Sequence, residues 1–408
     1  MKEHVHRGLD LTGCARCVYD ESVSRITFDE QGICNYCQLH DHLETQYETG
    51  DEGERRLAAL ARQVAHQGRN REFDCVVGVS GGCDSSYLLW LVKEKLGLRP
   101  LAVHFDNTWN STIAVENIRN ILDQLNVELH TYVVDNEEYD DIYRAFLMAG
   151  VPDIEAPTDI GLATTLYRTA AKYRVKYIFE GHSFRTEGIS PLGWLYMDAR
   201  YIQSVHQEFG LVPMRTFPNL WLSLYLYWTA LRRIKVIRPL YYIDYNKEKA
   251  KELLTSRFGW QWYGGHHLEN RFTAFYHSYF LPRRFGIDTR LLGYSAQVRS
   301  GQMTRSEATK LLTQPHFLDP ELVELVKKRL RLSDDRFDEL MTLPTRTYRE
   351  FRTYKQTFER LRWLFGIMAA ADLVPQSFYL KFTAPDPPDP RMVSNQYERR
   401  AELLDHES

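Results

Sequence analysis

Short apolar runs alternate with longer helical patterns through the middle of the chain. The runs that read as strands, each β-branched or apolar and bounded by turn residues, lie at 74–79, 100–105, 129–134 and 175–179. The helical patterns among them lie at 87–97, 112–125, 139–149 and 160–173. Strands alternating with helices of this length indicate βαβ units, so we predict an α/β fold with a parallel sheet. The loops after the strands would then share one sheet edge, where ligands bind.

The flanking regions differ from this core. A polar linker is expected at 41–53 and a helix at 54–67. Beyond residue 240, charge-rich patterns predict helices at 246–256, 304–313, 318–332 and 345–371. We therefore expect four regions: a cysteine module with its linker at 1–53, the α/β domain at 54–240, a helical region at 241–380 and a flexible tail at 381–408.

Four of the six cysteines form two closely spaced pairs near the N-terminus. Cys14 and Cys17 make the first C-x2-C pair, and Cys34 and Cys37 make the second after sixteen residues. Two such pairs are typical of a structural zinc site, whereas disulfides are not expected in a reducing compartment. An iron–sulfur cluster stays open, because four thiolates also suit iron. We expect Zn²⁺ with a folding role, since four thiolates leave no open position for a substrate.

A glycine-rich turn, Ser80-Gly-Gly-Cys-Asp-Ser-Ser86, links the first predicted strand to the next helix. Backbone N–H groups around Gly81 and Gly82 and the helix N-terminus can converge there on a phosphate, and the serine hydroxyls add donors. Asp84 would oppose a bare anion, so we expect it to bind Mg²⁺ on a polyphosphate or to cap the helix. The pattern of a Walker A loop is absent.

The string VVGVSGGCDSSYLL resembles the SGGxDS loop of the ATP pyrophosphatases, or PP-loop enzymes, which include GMP synthetase, asparagine synthetase and tRNA-thiolating enzymes. The resemblance implies a PP-loop (adenine nucleotide alpha hydrolase-like) domain that cleaves ATP between its α- and β-phosphates and transfers AMP to a substrate oxygen. It also implies a set of pyrophosphate-binding residues: Ser80, Gly81, Gly82, Asp84 and Ser85. Asp84 and Ser85 are the catalytic candidates, and Ser86 is a further nucleotide-binding candidate. Cys83 fills the variable position, where packing is expected.

Longer strings extend the resemblance over roughly residues 14–310. RCVYDESVSRITFDEQGICNYC, HFDNTWNSTIAVENI and RFTAFYHSYFLPRRFGIDTR are similar to N-acetyl sugar amidotransferases of bacterial surface-polysaccharide (lipopolysaccharide) synthesis. The family resemblance implies that ATP adenylates the acetamido oxygen of a sugar, which we expect to be linked to a nucleotide, and that ammonia then expels AMP. The implied ligands are ATP, Mg²⁺ and an N-acetyl sugar, and the product is an acetamidino sugar.

The end of the second predicted strand supplies further candidates. By resemblance, Phe105 and Asp106 would border the adenosine. Asn107, Trp109 and Asn110 could face the sugar, because an indole stacks on a sugar ring and amides hydrogen-bond its hydroxyls. An ordinary loop cap is the alternative interpretation of this segment.

The end of the last predicted strand lies on the same edge. Gly181 suits a close approach of the backbone to a nucleotide, and His182 is a candidate substrate contact or a structural histidine. Further on, His266 and His267 followed by Glu269 are not expected to bind a metal, because adjacent histidines point to different faces.

Composition narrows the partners and the compartment. The 51 Lys+Arg and 54 Asp+Glu leave a net charge of −3, so no nucleic acid partner is expected. The apolar stretch 217–231 is shorter than the roughly 20 residues of a membrane span, and the charged N-terminus does not resemble a signal peptide. We therefore expect a cytoplasmic protein without a transmembrane segment.

Two questions remain for the sequence: where the ammonia comes from, and which other functions the chain could have. Cys75 and Cys83 lie in a buried strand and in the glycine-rich turn, not in a glutaminase-like setting, so a separate glutaminase subunit is expected to supply ammonia. The alternative enzyme is a tRNA-thiolating protein, which would need a cationic RNA surface. A non-enzymatic ATP-binding scaffold is the third hypothesis, and the complete SGGxDS loop argues against it.

Overall fold

The computed structural model describes residues 13–191, 193–265 and 268–385. Within them, a parallel five-stranded sheet has the order β3-β2-β1-β4-β5. Its strands are β1 Cys75–Gly78, β2 Pro100–Asp106, β3 Leu129–Val133, β4 Tyr177–Phe179 and β5 Lys235–Ile237. The predicted α/β class with a parallel sheet is therefore confirmed. The chain proceeds from β1 outward in one direction and returns to β4 on the other side, so the ends of β1 and β4 flank a topological switch point.

The helix before the first strand and the helices among the strands follow the predicted pattern. They are α2 Gly50–Gly68, α3 Cys83–Trp90, α4 Thr112–Leu125, α5 Asn136–Ala149 and α6 Ala156–Lys172. A π-helical turn, Leu91–Lys95, continues α3. Side-chain caps set two of the starts: Ser111 accepts a hydrogen bond from the backbone of Ala114, and Asp135 accepts one from Glu138. The caps fix where the loops after β2 and β3 end.

The N-terminal module packs around its cysteines. The helix α1, Asn35–Gln46, buries Tyr36, Cys37 and His40. The expectation of a polar linker from 41 to 53 was wrong, because helix α1 continues to Gln46, with Glu44 paired to Arg185 at 2.6 Å, and helix α2 begins at Gly50. Residues 1–12 lie outside the described part of the chain.

The region after the sheet is mainly helical, as predicted. Its helices are α7 Ala199–Phe209, α8 Leu222–Leu226, α9 Lys247–Phe258, α10 Arg271–Phe275, α11 Arg290–Arg299, α12 Arg305–Leu312, α13 Leu322–Arg329 and α14 Asp334–Thr342. Two π-helical segments, Tyr227–Leu231 and Tyr276–Phe285, continue α8 and α10. Short 3-10 turns lie at Pro239–Tyr241 and Tyr348–Glu350. Across the described residues, no helix combines the length and apolar character needed to cross a bilayer.

The helix predicted over 345–371 is broken, so that prediction was wrong. Tyr348 stacks on Tyr196 with ring centres 4.3 Å apart, and the backbone N–H of Tyr354 donates to Asp198 at 2.7 Å. These tertiary bonds hold the backbone of this segment in a non-helical path. Helices resume as α15 Lys355–Arg360, α16 Arg362–Ala370 and α17 Gln376–Thr383.

Residue contacts divide the chain into a unit that ends at Tyr354 and a second unit that begins at Lys355. In the second unit, four phenylalanines from the three helices form one aromatic cluster: Phe358, Phe365, Phe378 and Phe382. The expected region boundaries after residues 53, 240 and 380 remain predictions. Most of the expected tail, residues 386–408, lies outside the described residues.

Candidate active site and metal centre

The glycine-rich turn runs from the end of β1 into α3. Gly81 has φ of 79°, and a Cβ there would lie 2.3 Å from the carbonyl oxygen of Ala114. Only glycine fits both the left-handed conformation and this close approach. The Gly81 carbonyl is turned into the protein, where it accepts hydrogen bonds from Trp260 Nε1 at 3.0 Å and Asn117 Nδ2 at 3.2 Å. The turn is thus supported from behind by α4 and by the segment after α9.

The serines organise the open side of the turn. The hydroxyl oxygens of Ser80 and Ser85 lie 3.2 Å apart, and the backbone N–H of Ser80 donates to Ser85 Oγ at 3.2 Å. Ser80, Asp84 and Ser85 are partly exposed, whereas Ser86 is buried. Solvent therefore reaches part of the turn along the face that carries these three side chains. With the N-terminus of α3 beside it, the face suits an anion.

Asp84 is engaged by two residues that the sequence did not single out. Tyr245 donates to Asp84 Oδ1 at 2.5 Å, and Lys247 Nζ donates to Oδ2 at 2.7 Å. Burial works against the charge of Lys247, yet the carboxylates of Asp84 and Glu187 outweigh it and raise the pKa of the ammonium group. These contacts span more than 160 positions, and no local motif signals them.

Cys83 is suited to packing. Its side chain is fully buried and its Sγ lies 3.8 Å from the hydroxyl of Tyr245. Burial, with a contribution from Asp84, raises the pKa of the thiol to about 12. The thiol therefore stays protonated near neutral pH, where a nucleophile would need the thiolate.

The end of β4 meets the turn at the switch point. A Cβ on Gly181 would lie 3.1 Å from the carbonyl carbon of Asp84 and 3.2 Å from the backbone nitrogen of Ser85. The absence of a side chain at 181 lets the two strand ends come together. His182 Nε2 lies 3.1 Å from the carbonyl of Gly188, and its Nδ1 lies 2.9 Å from the hydroxyl of Tyr241. Since the carbonyl can only accept, Nε2 carries the proton in this arrangement.

The end of β2 lies on the other side of β1. Asp106 is partly exposed, and its Oδ1 accepts hydrogen bonds from the backbone of Thr108 at 2.8 Å and from Asn110 Nδ2 at 2.9 Å. Phe105 is buried against Gly161, where a Cβ would lie 2.5 Å from its ring. Phe105 therefore forms part of the wall behind the strand end rather than an open surface.

Asn107 and Trp109 are both 1% exposed. The Trp109 indole donates to Asp140 Oδ1 at 2.9 Å, and the Arg329 guanidinium lies 3.9 Å from the ring centre. In this arrangement, neither side chain presents an open face to a sugar. Of the three residues expected to face sugar, the partly exposed one is Asn110.

The segment 269–271 connects the turn to the loop after β2. Glu269 is buried, and its Oε1 accepts a hydrogen bond from Ser80 Oγ at 3.3 Å. Asn270 Nδ2 donates to Asn107 Oδ1 at 2.8 Å, and the backbone N–H of Arg271 donates to the carbonyl of Trp109 at 2.7 Å. His266 and His267 lie outside the described residues.

The four paired cysteines come together, as predicted. Cys14 and Cys37 have their sulfurs 3.7 Å apart, Cys17 and Cys34 have theirs 3.8 Å apart, and all four sulfurs lie within 4.8 Å of one another. A tetrahedral ion with metal–sulfur bonds of about 2.3 Å would separate its sulfurs by about 3.8 Å. The four side chains are fully buried and could bind a metal ion. The spacing suits one ion, because a cluster must fit its own iron and sulfide atoms between the thiolates.

Two arginines from α11 and α12 contact this centre. Arg299 donates to Cys17 Sγ at 3.2 Å and to Cys37 Sγ at 3.3 Å. Arg305 donates to the backbone carbonyls of Cys17 at 3.1 Å and Cys14 at 3.3 Å. The arginine charge offsets part of the charge that four thiolates concentrate around one ion.

The fold and the turn together define a doubly wound α/β protein with a candidate phosphate loop at its switch point. Residues 269–364 match the family model described as the C-terminal domain of WbpG-like LPS biosynthesis proteins. We call residues 269–364 the WbpG-like domain after this similarity, which agrees with the expected relation to proteins of lipopolysaccharide synthesis. The first matched residue is Glu269, which contacts the turn.

Three further similarities are more distant. An uncharacterized protein of Methanocaldococcus jannaschii is 25% identical over 170 residues, which cover 41% of this chain and 58% of that protein. NMN synthetase from Francisella tularensis has a TM-score of 0.30 at 15% identity, covering 72% of this chain and 97% of that one. NH3-dependent NAD synthetase from Campylobacter jejuni has a TM-score of 0.29 at 14% identity, covering 68% and 93%. Likenesses this distant say nothing about the ligands of this chain.

Proposed function

We propose that this chain is an ATP-dependent amidotransferase that acts on the acetamido group of an N-acetyl sugar, with a nucleotide-linked sugar as the expected substrate. The proposal is supported above all by the contact between Ser80 and Glu269. This contact joins a turn suited to phosphate to the first residue of a domain known from LPS biosynthesis proteins. ATP-driven activation of a sugar amide combines these two features in one reaction.

The chemistry follows from the poor leaving ability of an amide oxygen. Attack of the acetamido oxygen on the α-phosphorus of ATP forms an O–P bond, breaks the bond to the β-phosphate and releases pyrophosphate. Ammonia then attacks the activated carbon, the C–O bond breaks, and AMP leaves with the oxygen while the nitrogen loses a proton. The covalent intermediate divides one difficult step into two easier ones. The products are an acetamidino sugar, AMP and pyrophosphate.

The residues of the turn take the roles that their positions favour. The backbone around Gly81 and Gly82 and the hydroxyls of Ser80 and Ser85 would hold the pyrophosphate. Asp84 would hold Mg²⁺, whose charge offsets that of the polyphosphate when both are bound.

The neighbouring strand ends would border the rest of the ligands. Asp106 after β2 and Gly181 after β4 flank the turn and would border the adenosine. Asn110 and His182, both partly exposed, are the proposed sugar contacts. Asn107 and Trp109 would act from the buried side by holding this loop in place.

The proposal also covers the metal of the cysteine centre, the compartment and the source of ammonia. We propose that the centre holds structural Zn²⁺, and that the protein acts in the cytoplasm.

Ammonia would come from a separate glutaminase subunit, since ammonia is largely protonated at neutral pH. Burial raises the pKa of the Cys75 thiol well above its usual range and that of Cys83 to about 12, so neither suits a glutaminase nucleophile.

The test incubates the purified protein with ATP, Mg²⁺, ammonium and a panel of UDP-N-acetyl sugars. Mass spectrometry should find a sugar in which NH has replaced the amide oxygen, with AMP and pyrophosphate formed in equal amounts. Reactions without sugar or without ammonium are the controls. Release of ADP in place of AMP, or AMP release that depends on tRNA and not on the sugar, would refute the proposal.

A further inference from the structure

The loop after β2 contains a strained residue at its centre. Thr108 has φ of 63°, a left-handed conformation that a β-branched residue seldom adopts. Within the loop, the backbone N–H of Thr108 donates to Asp106 Oδ1 at 2.8 Å, and that of Trp109 donates to Asn107 Oδ1 at 3.1 Å. Such strain persists where surrounding contacts fix the backbone, and it is found preferentially at functional sites.

Arg329 supplies much of that fixation. Its Nη1 donates to the carbonyl of Thr108 at 2.6 Å, and its Nη2 donates to the hydroxyl of the same residue at 2.9 Å. The guanidinium also lies 3.9 Å from the centre of the Trp109 ring. One planar group therefore holds the carbonyl and the side chain of Thr108 together with the neighbouring indole, a combination available to arginine and not to lysine.

Asp140 on α5 orients the guanidinium. Arg329 Nη2 lies 2.9 Å from Asp140 Oδ1, which also accepts the hydrogen bond from Trp109 Nε1 at 2.9 Å. The side chains of Arg329 and Asp140 are 22% and 18% exposed, so water weakens the pair only in part. The carboxylate thereby ties the arginine and the indole into one network below the loop.

We infer that Arg329, at the end of α13 in the WbpG-like domain, is a positioning residue for the substrate loop 106–110. Through Thr108 and Trp109 it sets the direction in which Asp106 and Asn110 leave the end of β2, beside the phosphate turn. The ligand class that this loop would meet, an N-acetyl sugar, rests on the proposed function. The positioning itself rests on the contacts of Arg329.

Hydrogen exchange tests the positioning without any substrate. In Arg329→Lys, which keeps a charge opposite Asp140, the peptide covering 106–111 should exchange at least several-fold faster, while peptides from α5 and α13 stay unchanged. Arg331→Lys, at a residue that is 83% exposed and lies two positions away, is the matched control. Unchanged exchange at 106–111, or equal acceleration along α5 and α13, would overturn the inference.

Enzyme kinetics then test whether the positioned loop contacts the sugar. Arg329→Lys should raise the KM for the sugar about tenfold through Asn110 and raise the KM for ATP by a smaller factor through Asp106, because the misplacement affects the loop and leaves the pyrophosphate-binding turn in place. Thr108→Gly relieves the left-handed strain, so the lysine variant should lose less in that background. An equal loss in both backgrounds would reduce Arg329 to a structural ion pair. If the parent protein forms no AMP with any sugar while the exchange result holds, the proposed function has failed and the positioning stands.

Discussion

Variants of the ion pair between Asp84 and Lys247 test whether Asp84 only stabilises the phosphate turn or also takes part in the reaction. Asp84→Asn leaves the ammonium of Lys247 facing a neutral amide, while the hydrogen bond from Tyr245 can persist. Lys247→Met leaves the carboxylate without its cation. The double variant removes both charges and keeps similar side-chain volumes.

The burial of the pair sets the magnitude. The side chains of Lys247 and Asp84 are 12% and 14% exposed. Breaking a buried pair by removing one partner costs about 3–5 kcal/mol, and the slight exposure here favours the lower end. We therefore expect each single variant to lose about 3 kcal/mol of unfolding free energy, and the double variant to lose distinctly less than the two together.

Urea unfolding followed by circular dichroism measures these losses, and pyrophosphate release measures turnover. The double variant should recover stability but not turnover, because no carboxylate remains to hold Mg²⁺ at the turn. Metal analysis should find the cysteine centre unaffected in all three variants. Glu248→Gln on the same helix, at a residue whose side chain is 76% exposed in its pair with Lys251, should change stability by less than about 0.5 kcal/mol.

The result that would refute this reasoning is recovery of both properties. If the double variant regained turnover as well as stability, Asp84 would matter only as the partner of Lys247. The assignment of Asp84 to Mg²⁺ and pyrophosphate would then be wrong, even if the enzyme were active. Single variants with unchanged stability would show that water already screens the pair.

Two further changes test the turn and the cysteine centre. Gly81→Ala should cost about 2 kcal/mol or more of unfolding free energy and weaken ATP binding, because the new Cβ would lie 2.3 Å from a backbone carbonyl oxygen and φ is unfavourable for alanine. Gly97→Ala is the control: φ is 64° there but the space is open, so the loss should be about 1 kcal/mol. Equal losses in the two variants would count against the steric argument. Arg299→Gln should speed metal release to a chromophoric chelator about tenfold, because it removes the hydrogen bonds to Cys17 and Cys37. Unchanged release would mean that the arginine does not stabilise the bound ion.

The sequence reveals those parts of the fold that depend on local periodicity. Helix α4 was predicted at 112–125 and occupies those residues, because Ser111 caps its start and its apolar positions follow one face. The strand β5, Lys235–Ile237, could not be found in the same way, since it has three residues that are only partly buried. Its place in the sheet comes from pairing with β4, a contact between distant parts of the chain.

The candidate site shows the same division. The turn 80–86 could be found because its glycines, serines and aspartate are adjacent in the sequence. The cysteine centre could be found because two C-x2-C pairs are typical of a single tetrahedral metal site. Lys247 and Tyr245 reach Asp84 only through the tertiary fold. Trp109 appears in the sequence as an aromatic residue on a ligand loop, but the fold covers it with Arg329.

The WbpG-like domain joins features that are far apart in the sequence. Its first residues contact the phosphate turn through Glu269 and the loop after β2 through Asn270, while Arg329 contacts the same loop through Thr108. Its Arg299 reaches the cysteine sulfurs. One stretch of the chain, 269–329, therefore contacts the phosphate turn, the loop after β2 and the cysteine centre.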